Sequence, residues 1–209
     1  AEDFEKQAIN IKKLYYKFHA RICAIDANGL GAGLVDFMTK AQIDPETGEE
    51  LMPFGVEDGT SDDIKEQYKK IKGLGVEENA MYLIKANAPI NTEAHTYVQT
   101  QLSSGKIKLL IDENQAKVKL MEKKVGQSMS PDQRAETLMP FTMTTILREQ
   151  MLNLVEDTEG VNIILKQSSK EIKKDKFSAF EYGLYYVKQE EDRKKINFGQ
   201  SPNILFKKK

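Results

Sequence analysis

The chain has 209 residues, 40% hydrophobic and 30% charged, with a formal net charge of −1. That length supports one substantial core, and no apolar run nears the ~18 residues needed to span a bilayer, which excludes a membrane-spanning protein. The single cysteine, Cys23, excludes an intrachain disulfide framework and fits a reducing compartment, where it would serve as packing.

Residues 3 to 19 carry Phe4, Ile9, Ile11, Leu14, Tyr15 and Phe18 at helical spacing, which predicts a surface helix packed on one face. The chain opens without a Met inside this pattern and has no signal-peptide layout, so it reads as an excerpt of a longer protein. "RICAID" predicts a buried strand, and "GAGLVDFMTKAQ" a helix with Leu34, Val35 and Met38 on its apolar side. Residues 43 to 63 are dense in Gly, Pro and acids and predict an exposed loop or short hairpin. "AMYLIKA" (80–86) predicts a second strand, "NTEAHTYVQTQLSSG" (91–105) a helix, and "KIKLLID" (106–112) a third strand. A charged helical stretch (113–125), a Ser-Pro helix start at 130 to 131 and a long helix through residues 142–157 follow. "VNIILKQ" (161–167) predicts a fourth strand, and residues 175–191 a closing helix with aromatics on one side. From 192 to 209 the chain is lysine-rich and lacks apolar periodicity, which predicts a disordered tail after one domain spanning 1–191. Strands alternating with helices imply an α/β layered domain with some parallel pairing.

The stretch "ICAIDANGLGAGLVDFM" (22–38) raises two chemistries. A dinucleotide fingerprint needs G-x-G-x-x-G after a strand, for a tight turn, pyrophosphate approach and helix packing. Here Gly29, Gly31 and Gly33 give G-x-G-x-G, with Leu34 where the third glycine belongs. Asp26 would also place a negative charge beside any phosphate, and no Gly-Lys-Ser/Thr follows for a Walker loop. The second chemistry is metal binding. A carboxylate at the carboxyl end of a buried strand is rigidly held at the edge where α/β sheets do their work. Hard ions such as Mg²⁺ take oxygen ligands, and phosphoryl-transfer sites commonly pair two ions through carboxylates, so Asp26 needs a second acid.

The best second acid is Asp175, which opens the last amphipathic helix among Lys173, Lys174 and Lys176. An acid in that basic setting suits a phosphate backbone brought to a metal, and helix capping is the competing reading. Further lysines and Arg193 load the C-terminal end, so the neutral total does not exclude a nucleic-acid partner. His19 and His95 have no His or Cys partner at ligand spacing and read as surface or partly packed residues. Asp36 reads as solvent-facing or locally bonded, and Asp62 with Asp63 as a solvated pair. Tyr182, Tyr185 and Tyr186 suit packing against the sheet better than base stacking.

Taken together, "AIDANGLGAGLVDFM" and the downstream "IKKDKFSAFEYGLYYV" resemble the C-terminal nuclease domain of the large terminase subunit of tailed bacteriophages. "NAPINTEAHTYVQTQLSSGKIKLLID" and "MPFTMTTILREQMLNL" are similar to it too, so the resemblance covers nearly the whole chain up to the tail. It implies an RNase H-like fold, a central mixed sheet flanked by helices, and acids holding two Mg²⁺ or Mn²⁺ ions. In that family one acid ends the strand of a D/E-x-N-G-x-G pattern and another opens a late helix in K-D-x-x-x-A. Asp26 and Asp175 match these. The family's first acid has no counterpart, because its first strands would precede this chain. Ile172 stands where some relatives carry an auxiliary His or Asp, with Glu171 as the only nearby substitute. The resemblance further implies a metal-dependent endonuclease that cuts concatemeric viral DNA, held by Lys173, Lys174 and Lys176. Its partners would be double-stranded DNA, portal and small terminase subunit, in the cytoplasm of the infected bacterial host. The competing readings are a non-catalytic α/β module that docks on a portal or partner subunit, and a nucleotide-binding oxidoreductase.

Overall fold

The computed structural model describes residues 3–69 and 78–199, and the chain divides into two compact units. The first comprises Ala1–Asn87 and Tyr182–Lys209, the second Ala88–Glu181. One domain over 1–191 was the expectation. The cut falls where the chain leaves its parallel sheet and enters a mainly helical segment.

In the first unit α1 (Phe4–Lys17) starts at Asp3, whose carboxylate accepts from the Glu5 N–H at 3.0 Å. This satisfies one of the backbone donors that a helix start leaves free. β1 (Cys23–Asp26) and α2 (Leu30–Met38) follow as predicted. The region expected as loop or short hairpin holds a two-stranded hairpin, β2 (Gln42–Ile43) with β3 (Glu50–Leu51), and also a full strand, β4 (Phe54–Gly59). α3 (Asp62–Lys69) leads on, and β5 (Glu78–Ile84) completes a sheet of order β1-β5-β4. Both of its pairings are parallel, so this sheet is not mixed. β4 escaped prediction because it is buried along much of its length and breaks register between Gly55 and Val56 and again between Val56 and Asp58. Its sequence therefore shows no alternation of apolar and polar residues.

Phe54, Val56, Met81 and Leu83 from the strands, Val35 and Met38 from α2, and Ala8 and Tyr15 from α1 form one buried cluster. Lys12 is buried among them. Its ammonium donates to the Lys40 carbonyl at 2.6 Å, just past the end of α2, and lies 5.4 Å from the Phe54 ring centroid. Burial pushes its pKa down to about 8.

In the second unit α4 (Ala88–Ser103) tolerates Pro89 because a first-turn residue needs no intrahelical N–H bond. It ends before Gly105, whose φ of +68° suits a residue without Cβ. Residues 106–112, expected as a strand, form none. They run as an irregular connection to Asp112, whose carboxylate caps α5 (Glu113–Met121). α6 (Lys124–Ser128) is short, and α7 (Pro131–Leu152) starts at Ser130 in a capping box with Gln133, as the Ser-Pro signal indicated. The expected helix through 157 stops at Leu152, and β6 (Leu154–Glu159) turns at Gly160 to pair antiparallel with β7 (Asn162–Gln167). The fourth predicted strand thus exists, but in its own hairpin. That hairpin is fastened to α4 where the Ile163 N–H donates to Thr92 Oγ1 at 2.9 Å.

α8 (Asp175–Gly199) begins in the second unit and continues into the first. It passes the expected start of the tail at 192 because Lys188 and Lys195 both pair with Asp192, and Arg193 pairs with Glu190 and Asp58. Charges spaced three and four apart on one helix face support it without apolar periodicity. The rest of the tail, 200–209, lies outside the described residues. No helix among the described residues is long and apolar enough to cross a membrane.

Candidate active site

Asp26 closes β1 directly opposite Ile84 of β5, at the carboxyl edge of the parallel sheet. Its side chain is exposed, and Oδ1 accepts from the Asn28 N–H at 3.0 Å, an Asx turn that orients the carboxylate. Asn28 also donates through Nδ2 to the Ala86 carbonyl at 3.0 Å, tying the turn to the chain beyond β5. Gly29 caps α2 with φ +53°. A Cβ on Gly31 would stand 1.7 Å from the Asp26 carbonyl oxygen, and one on Gly33 would stand 2.9 Å from the Phe4 ring. The glycines thus let α2 start against the backbone of Asp26 itself. The close approach they permit is to the protein's own atoms.

The same sheet edge carries Thr60, whose hydroxyl accepts from the Lys85 N–H at 2.8 Å, and Lys85, whose ammonium lies 3.7 Å from Asp63. Asp62 and Asp63, read from sequence as a loop pair, open α3. Asp36 accepts from the Tyr68 hydroxyl at 3.2 Å, a bond between α2 and α3. Burial pushes the Cys23 thiol up to about 11, which keeps it protonated and fits the packing role. Tyr185 is buried and Tyr186 stacks 5.1 Å from Tyr82, as expected for sheet packing.

Asp175 is the first residue of α8 and is exposed, as are Lys173 and Lys174, while Lys176 is half-buried. The loop before it is held by Asn153, a buried residue at the end of α7. Its amide donates to the carbonyls of Ser169 (2.9 Å) and Ile172 (3.3 Å) and accepts from the Ser169 N–H at 2.9 Å. Gln150, also buried, accepts from the Phe177 N–H at 3.0 Å and so fixes the first turn of α8. Glu171 is exposed on this loop. Asn28 and Asn153 were missed as positioning residues. Asn28 had a local signal, an acid two residues earlier able to close an Asx turn; Asn153 had only its fitness to end a helix.

His95 is buried rather than at the surface. Its Nε2 is 2.7 Å from Glu156 of β6, and its Nδ1 is 3.6 Å from the buried Glu181 of α8, an ion-pair distance longer than a good hydrogen bond. Glu181 raises the imidazole pKa most, burial opposes, and Glu156 adds to the rise.

Asp26 belongs to the first unit and Asp175 to the second. Their carboxylate oxygens are the hard donors that Mg²⁺ or Mn²⁺ takes, yet no group of three His, Cys, Asp or Glu among the described residues is arranged to hold a metal ion. The fold and this edge define an α/β protein with a small parallel sheet flanked by helices. Comparison with protein-family models, with curated proteins and with solved structures finds no match to the chain.

Proposed function

We propose that this chain is the RNase H-like nuclease part of a phage terminase large subunit, a metal-dependent endonuclease acting on double-stranded viral DNA during packaging. The observation that carries the reading is Asp26. It is an exposed carboxylate at the carboxyl end of a parallel strand, oriented by the Asn28 N–H and backed by a glycine turn packed on its own carbonyl. A rigidly held carboxylate at that edge is what phosphodiester hydrolysis asks of a fold. When bound, Mg²⁺ or Mn²⁺ would supply activation of water and stabilisation of the leaving oxygen. Asp26 would contribute its carboxylate as a ligand. Asp175 is the second acid assigned to cleavage, and Asn153 positions it through the preceding loop. Lys173, Lys174 and Lys176 would hold the phosphate backbone without reading sequence, so binding falls as salt rises. The host cytoplasm, the portal and the small terminase subunit belong to the same reading.

Plasmid nicking with Mn²⁺ or Mg²⁺, by the chain and by a form extended upstream, tests it. Metal-dependent nicking should fall at least ~100-fold in both Asp26→Asn and Asp175→Asn, the scale on which a catalytic group acts. Undiminished nicking in either variant removes that acid from the mechanism. No nicking by either form, with no metal-dependent shift in melting temperature, returns the protein to the non-catalytic docking reading.

A further inference from the structure

We propose that the outer face of α5, α6 and the first turns of α7 docks an acidic amphipathic helix of a partner protein. The Glu113 N–H donates to Thr145 Oγ1, and Arg134 Nη1 lies 4.0 Å from Met121 Sδ, so α5 runs antiparallel along α7. Very little of this outcrop is covered: α5 buries Ala116 and α6 buries Gly126, a Cβ on which would meet the Leu120 carbonyl oxygen at 2.0 Å. Its large apolar side chains instead face outward, with Val118 at 59%, Val125 at 66% and Met139 at 49% exposure. Val118 and Met121 lie one turn apart on α5, as do Met139 and Met143 on α7. Scattered exposed apolar residues are ordinary, but this many on three neighbouring helices is a surface that gains by being covered. A groove of about 370 Å³ runs between α6 and the start of α7, floored by Val125, Met129 and Thr137 with Glu136 also lining it.

Charge identifies the occupant. Residues 106–124 hold six lysines against three acids. Elsewhere the chain neutralises its lysines internally, as Lys13 with Asp44, Lys166 with Asp157 and Lys188 with Asp192. Lys117, Lys123 and Lys124, beside the exposed valines, make no ion pair among the described residues. An apolar stripe bordered by free ammonium groups complements a helix with an apolar face and acidic flanks, and unbranched methionines adapt to its side chains. A nucleic-acid backbone would use the lysines but leave Val118, Val125 and Met139 in water. The inference stands apart from the nuclease reading, since none of these residues was assigned to cleavage.

The test is fluorescence anisotropy of the full chain with a labelled peptide designed with Leu at i, i+3, i+4 and i+7 and Glu on both flanks. Saturable binding is expected. It should weaken about tenfold in Val118→Ser/Val125→Ser, on the scale of removing two apolar anchors, and again in Lys117→Glu/Lys124→Glu or at high salt. These positions are exposed, so unchanged circular dichroism and unchanged nicking should accompany the loss. Absence of binding overturns the proposal, as does equal binding by a peptide of the same composition with its Leu positions scrambled. Displacement of the peptide by duplex DNA, weakened by the lysine variant alone, overturns it in favour of a nucleic-acid surface. Self-association abolished by Val118→Ser/Val125→Ser overturns it in favour of a second copy.

Discussion

The first unit closes its sheet around Phe54, Val35, Met38, Met81 and Leu83, whereas the second buries Ala94, Val98, Ala116 and Phe177 beside His95, Gln101, Gln150, Asn153 and Glu181. One interior is held chiefly by area removed from water, the other chiefly by satisfied polar groups. The physical consequences differ. Apolar packing is non-directional and sums over many contacts, while a buried amide stabilises only if each bond is made and costs its full desolvation if one is lost. The first unit should therefore depend on volume and the second on individual hydrogen bonds.

Phe54→Ala gives the largest expected effect. It empties the centre of the first cluster and leaves Lys12 without its ring, and a loss of about 3–5 kcal/mol is expected in denaturant unfolding. A cost no greater than that of Val98→Ala, in the second unit, would break the contrast. Asn153→Ala comes next. It strands the Ser169 N–H and two carbonyls of the loop before α8, with an expected loss of about 1–3 kcal/mol. Hydrogen exchange should show loosened protection at residues 168–172 with the first unit's strands unchanged. Uniform loosening of both units would show that the polar pins are not local.

The smallest effects separate the units by pH. The His95 pKa is raised above its ordinary 6.5, so the stability its imidazolium gives the second unit is fully present below about pH 6.5 and is lost as pH rises through the folded value. Lys12 acts in the opposite sense. With its folded pKa near 8 and its ordinary value 10.5, the first unit carries the full cost of a buried ammonium below about pH 8 and gains stability as pH rises towards 10.5. Exchange protection measured across pH should diverge accordingly, and His95→Gln and Lys12→Met should each flatten one trend alone. A common pH response would merge the two units energetically.

Local chemistry made much of this readable. The strand ending at Asp26, the turn at Gly29, the helix start at Ser130 and the α8 start at Asp175 all announce themselves within a few residues, because caps, turns and buried apolar runs are short-range devices. The failures lie where partners are distant. β4 is a strand because β5 pairs with it, although "FGVEDG" carries Gly at both ends of an acidic run. Residues 106–112 have strand-like composition and no ladder to join, and the helical pattern after 142 yields at Asn153, which bonds a loop some fifteen residues onward. The sheet's parallel character, the burial of His95 between Glu156 and Glu181, and the division into two units were equally invisible to local pattern.

Sequence alone determined where Asp26 and Asp175 sit on their elements, since a strand end and a helix start are set by neighbouring residues. Only the tertiary structure decided what the glycines after Asp26 are for. A Cβ clash with a carbonyl five residues earlier, or with the ring of Phe4, exists only once α2 has packed against β1 and α1.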